Sequence, residues 1–112
     1  MSAACCDLNE FLAALADETR QRILTLLGER EMTVSELSEQ FAVTQPTVSH
    51  HLAILRRARL VISHRSGRYV FYRANPMCVA ECCREIQDRF TIPRPTALID
   101  TLTGMPEEKT NG

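Results

Sequence analysis

A chain of 112 residues has sequence for one hydrophobic core and too little for a second. Hydrophobic residues make up 45%, which excludes a wholly disordered chain, and few aromatics beside frequent Ala, Leu, Glu and Arg favour a mainly helical protein. The formal charge of −1 hides a partition: no acidic residue stands between Glu39 and Glu81, while that stretch holds Arg56, Arg57, Arg59, Arg65, Arg68 and Arg73 with His50, His51 and His64. Such a local excess suits a polyanion.

The segment Met1 to Asp7 has neither the basic start nor the apolar run of a signal peptide. No uncharged stretch approaches the roughly 20 residues of a spanning helix. A cytoplasmic protein with no membrane partner is expected. Residues 1–7 are expected to form a flexible thiol-bearing segment, 8–92 the folded domain and 93–112 a tail.

A first helix is expected over Asn9–Ala16, with Phe11, Leu12 and Leu15 on one face. Asp17 and Thr19 can cap a second, whose apolar residues Ile23, Leu24, Leu26 and Leu27 end at Gly28. Thr33-Val34-Ser35-Glu36 has the form of a capping box before a third helix with Val34, Leu37 and Phe41 on its stripe. After Ala42-Val43-Thr44, a fourth helix opens on Thr44 or Gln45 with Pro46 in its first turn. Its core residues are Val48, Leu52 and Leu55, which leaves Thr47, Ser49, His50 and Ala53 facing outwards. Strands are expected over Leu60–His64 and Arg68–Arg73, joined through Arg65-Ser66-Gly67. A last helix opens at Asn75-Pro76, runs to about Phe90 and is stopped by Pro93 and Pro95; the tail after Thr103 is expected to fray.

Two short helices joined by three or four residues, the second exposing small polar groups, form a helix-turn-helix pattern. Thr47 and Ser49 are short enough to let the backbone approach a major groove, and Gln45 and His50 can hydrogen-bond base edges. Arg56, Arg65 and Arg68 are placed to meet phosphates. The expected partner is double-stranded DNA. An isolated basic run reads more simply as a solvated face; here it coincides with helix, turn, helix and hairpin.

The chain resembles the ArsR/SmtB family of metal-responsive repressors over roughly Phe11 to Phe90. The resemblance rests on Ala16-Asp17-Glu18-Thr19-Arg20-Gln21-Arg22-Ile23-Leu24, on Thr44-Gln45-Pro46-Thr47-Val48-Ser49-His50-His51-Leu52-Ala53-Ile54-Leu55 and on Gly67-Arg68-Tyr69-Val70-Phe71-Tyr72. Two departures are visible: Glu18 stands where the family commonly has Pro, and Arg59 where it commonly has Gly. The resemblance implies a winged helix-turn-helix fold, mainly α with a small β-hairpin wing. It also implies a homodimer built from the first and last helices, bound to a palindromic operator and released by an inducer. Apolar residues on the first helix (Leu8, Leu12, Leu15) and last helix (Met77, Val79, Ile86, Phe90) independently allow such a dimer.

Family members place inducer sites differently. One site is a Cys-x-Cys on the third helix, which here reads Ser35-Glu36-Leu37-Ser38-Glu39-Gln40, without a thiol. Another uses Asp, His and Glu on the last helix, and this chain has no histidine after His64. What remains is thiol-only: Cys5 and Cys6 before the first helix, Cys82 and Cys83 on the last, with Cys78 one turn before Cys82. In a reducing compartment these are ligands or redox groups rather than a disulfide framework. Soft thiolates suit trivalent arsenic, as arsenite, or antimony; cadmium and lead are alternatives. A second alternative is oxidation by peroxide or reactive sulfur to a bridge between the two cysteine pairs. A third keeps the thiols as small buried hydrophobes, which fits Cys78 best. A small thiol oxidoreductase would want a Cys-x-x-Cys at a helix start after a strand, a spacing absent here, and no catalytic constellation replaces it. The expectation is a repressor, not an enzyme.

Overall fold

The computed structural model describes residues 7–90. Cys5, Cys6, Pro93, Pro95 and the stretch after Thr103 lie outside the described residues, as do residues 1–6 of the expected first segment and all of the expected tail 93–112.

Four of the five described helices begin on side-chain caps that satisfy N–H groups the helix itself leaves open, the last of them on Asn75, whose Oδ1 accepts from the Cys78 N–H at 3.4 Å. For α1 (Leu8–Leu15) it is Asp7, which accepts from the Glu10 N–H at 3.2 Å. For α2 (Glu18–Glu29) it is Asp17, accepting from the Arg20 N–H at 2.9 Å. The third helix, α3 (Val34–Phe41), has the full capping box: Thr33 Oγ1 accepts from the Glu36 N–H and the Glu36 carboxylate accepts from the Thr33 N–H. Then follow α4 (Gln45–Arg57), the antiparallel strands β1 (Val61–Ser66) and β2 (Tyr69–Ala74), and α5 (Pro76–Phe90).

The core gathers one stripe from each element. Ile23 and Leu27 of α2, Leu37 of α3, and Val48, Leu52 and Leu55 of α4 are buried at helical spacing, as expected. The first helix differs from expectation. Its buried residues are Leu8, Phe11 and Ala14, while Leu15 is half-buried and Leu12 is 45% exposed. The helix starts one residue earlier than expected, and α1 packs against α2, α4 and α5 along the face that carries the small Ala14.

The hairpin is also displaced. Ser66 pairs with Tyr69, so the loop is Gly67-Arg68 and Arg65 lies within β1. Gly67 takes φ 64°, the positive φ that the first residue of a type II′ loop requires. A further backbone pair, Met32 with Tyr72, is bonded both ways at 3.0 and 2.9 Å and lays the α2–α3 link along the free edge of β2. Periodicity carried no sign of this short pairing.

Candidate nucleic-acid interface

α3 and α4 pack on each other across a three-residue turn. Ala42 ends α3 in the left-handed conformation, φ 55° and ψ 38°. The Val43 N–H donates to the Ser38 carbonyl at 3.3 Å, and the Ser38 hydroxyl donates to the Val43 carbonyl. The entry of α4 is thereby set relative to α3.

Thr44 is the N-cap of α4, but its hydroxyl pairs with that of Thr47 at 2.9 Å instead of capping a backbone N–H. The first turn of α4, with Pro46, therefore has no side-chain cap. Uncapped N–H groups at a helix start favour an anion. Gln45 reaches back to α3, its Nε2 donating to Ser35 Oγ at 3.1 Å. Gln45, Thr47, Ser49, His50 and Arg56 are all exposed on α4, while Val48, Leu52 and Leu55 on the opposite face are buried. Arg65 and Arg68 are exposed on the hairpin, and the Arg68 guanidinium lies over the Tyr69 ring at 6.0 Å from its centroid.

Two contacts that the sequence did not advertise hold this surface to the rest of the domain. Arg20, in the first turn of α2, donates through Nε to the Ala14 carbonyl (2.7 Å) and through Nη2 to the Ala13 carbonyl (3.2 Å), closing the end of α1. Its Nη1 lies 3.3 Å from His51 Nδ1 on α4. Burial pushes the His51 pKa below its ordinary value, and the positive Arg20 and His50 add to this against the opposing Asp17 carboxylate. Asp17 is itself held low, chiefly by the Arg20 N–H hydrogen bond. His51 Nδ1 is thus an acceptor for Arg20 in the neutral ring. The second contact is His64 on β1, whose Nε2 lies 3.0 Å from the Glu31 carboxylate while its ring stacks on Phe71.

The thiols fall into different environments. Cys78 and Cys82 on α5 are both fully buried, and the Cys78 thiol donates to the Ala58 carbonyl at 3.9 Å, just beyond α4. Cys82 is disulfide-bonded, whereas Cys78 and the exposed Cys83 are not. Among the described residues no three Cys, His, Asp or Glu converge as a metal-binding group, so Cys78, Cys82 and Cys83 do not form one by themselves. No helix among the described residues is long and apolar enough to cross a membrane.

A helix-turn-helix backed by a two-stranded wing defines a winged DNA-binding domain. The profile of the bacterial regulatory proteins of the arsR family matches residues 17–63. The transcriptional repressor SdpR of Bacillus subtilis is 38% identical over 68 residues, 61% of this chain and 76% of SdpR. The arsenical resistance operon repressor of Escherichia coli is 39% identical over 75 residues, 66% of this chain and 64% of that protein, so the chain spans less than two thirds of its length. An ArsR-like transcriptional regulator from Rhodococcus sp. RHA1 superposes with a TM-score of 0.68 at 30% identity, over 94% of this chain and 93% of that one. The chain belongs to the ArsR family of DNA-binding transcriptional regulators. It is a regulator rather than an enzyme, in line with the three sequence blocks that carry the resemblance.

Proposed function

We propose that this chain represses transcription as a homodimer on operator DNA and is released when cysteine thiolates capture a soft metalloid, foremost trivalent arsenic. The observation that carries the DNA half is the exposed polar face of α4, uncapped at its start and set in a window free of acidic residues. Gln45, Thr47, Ser49 and His50 meet base edges, and Arg56, Arg65 and Arg68 meet phosphates.

The inducer half rests on donor chemistry. Three thiolates suit trivalent arsenic, and Cys83 presents an exposed thiol beside Cys82 on α5. Cys5 and Cys6 precede α1, and α1 packs against α5, so a site joining Cys5 and Cys6 with Cys82 and Cys83, within or across subunits, brings enough thiols together. The similarity to an arsenical resistance operon repressor agrees with this chemistry. Antimony, cadmium and lead are the competing inducers. Exposure of Met77, Leu12 and Phe90 on α5 and α1 supports the dimer.

A specific observation favours a second signal. With Cys82 disulfide-bonded, oxidation is the rival: two thiols lose two protons and two electrons to hydrogen peroxide, forming a disulfide and two waters. Titrating release from operator DNA against arsenite, antimonite, cadmium, lead, zinc and mercury, with peroxide in parallel, separates the readings. Arsenite should release the reduced protein, and Cys5→Ser with Cys6→Ser, or Cys82→Ser with Cys83→Ser, should blunt that release while leaving DNA binding intact. Cys78→Ser should matter less. A variant lacking Cys5 and Cys6 that responds to arsenite at wild-type concentration rules out the joined site.

A further inference from the structure

We propose that Ser35 is a positioning residue that sets the base preference of Gln45, favouring adenine over guanine; this rests on the reading that Gln45 meets a base edge. In the major groove adenine offers an acceptor, N7, beside a donor, the N6 amino group, whereas guanine offers two acceptors, N7 and O6. A glutamine amide carries an acceptor on one side and two N–H donors on the other. Which purine it suits therefore depends on which way the amide is turned. A surface glutamine left to itself samples both orientations.

Gln45 is not left to itself. Across the turn, Nε2 donates to Ser35 Oγ at 3.1 Å, from the first residue of α4 to the first turn of α3. With Nε2 donating to Ser35 Oγ, Oε1 is turned away from α3 and Nε2 keeps one further N–H. The amide then offers one donor beside one acceptor, which is the complement of adenine. Against guanine in the same pose, Oε1 would face O6, acceptor to acceptor. The flipped amide, with the Ser35 hydroxyl donating to Oε1, would leave both N–H groups for guanine, so the base preference reports which of the two bonds forms. The frame around the amide is also held: the Ser38–Val43 hydrogen bonds fix the turn, and the Thr44 and Thr47 hydroxyls bond each other alongside. Ser35 and Gln45 are both exposed, so neither side chain is engaged in packing the core.

The test selects the full-length, reduced chain against a randomised duplex library and then measures affinity for the preferred site and its adenine-to-guanine variants. Gln45→Ala should relax one base-pair position. Ser35→Ala should relax the same position, with adenine-over-guanine discrimination falling about twofold to tenfold, the worth of one hydrogen bond. Its salt dependence and Tm should stay at wild type, and Ser35→Thr, which keeps the hydroxyl, should keep the discrimination. If Gln45→Ala relaxes no position, the base-edge reading of Gln45 fails. If Gln45→Ala relaxes a position that Ser35→Ala leaves at wild-type selectivity, or if the preferred base there is not adenine, the role of Ser35 is overturned and the Gln45 contact stands.

Discussion

Ala42 and Arg59 adopt positive φ, 55° and 66°, which L side chains resist because Cβ crowds the backbone. Arg59 stands where the family commonly has Gly, and its carbonyl is held by Asn75 Nδ2 at 3.2 Å, so the turn after α4 is kept by contacts rather than by a permissive residue. Ala42 is exposed and its methyl group is not part of the core. Ala42→Gly should therefore stabilise the domain by about 0.5–1 kcal/mol, the left-handed cost less the extra freedom glycine gains when unfolded. A higher urea midpoint at unchanged slope is the expected result. His51 gives a pH signature. Its folded pKa lies below the ordinary 6.5, so between the two values the unfolded chain binds more protons and stability rises with pH. Stability is lost as pH falls through about 6.5 towards the folded value. His51→Asn should flatten that part of the Tm-against-pH curve. Caps were legible because an Asp or Thr stands next to the N–H it satisfies; the partner of His51 lies 31 residues away, beyond any local pattern.

The buried stripes of α2, α3 and α4 follow from apolar spacing, and all the polar α4 residues expected at the surface are there. Hairpin register was less legible, since Arg65, Ser66 and Arg68 fit strand or loop equally and a single glycine does not say which two residues turn. The displacement changes the geometry of the two arginines. Arg68 sits in the loop itself, beside Tyr69, whereas Arg65 projects from the strand two residues before Gly67. If both meet phosphates, Arg65→Ala and Arg68→Ala should each weaken DNA binding evenly across sequences and lower the salt slope by about one. Arg89→Ala is the control: it is tied to Glu85 at 2.6 Å on α5 and should change neither quantity. Equal salt slopes for all three variants and wild type would remove the wing from the interface.

At the scale of the whole molecule, the apolar residues that the core leaves uncovered fall mainly on two helices that pack together. Leu12 of α1 is 45% exposed, and Met77 and Phe90 of α5 are 77% and 57% exposed. The dimer expectation had included Leu8, but that residue turns inwards. Leu8 stands three residues before Phe11 and six before Ala14, on the face of α1 that packs into the core. Burying a Leu or Met side chain stabilises by about 1.5–3 kcal/mol, and a two-fold interface uses each residue twice. Leu12→Glu with Met77→Glu would remove that gain and put carboxylates into the proposed contact. The double variant should weaken dimerisation by at least about a hundredfold, near 2.7 kcal/mol, while the monomer keeps its helical circular dichroism because neither side chain belongs to the core. Operator affinity should fall with it, since one recognition helix alone forfeits half of a palindromic site. Sedimentation equilibrium and operator binding on the same sample provide the test: a variant that stays dimeric at wild-type affinity would place the subunit contact on another face.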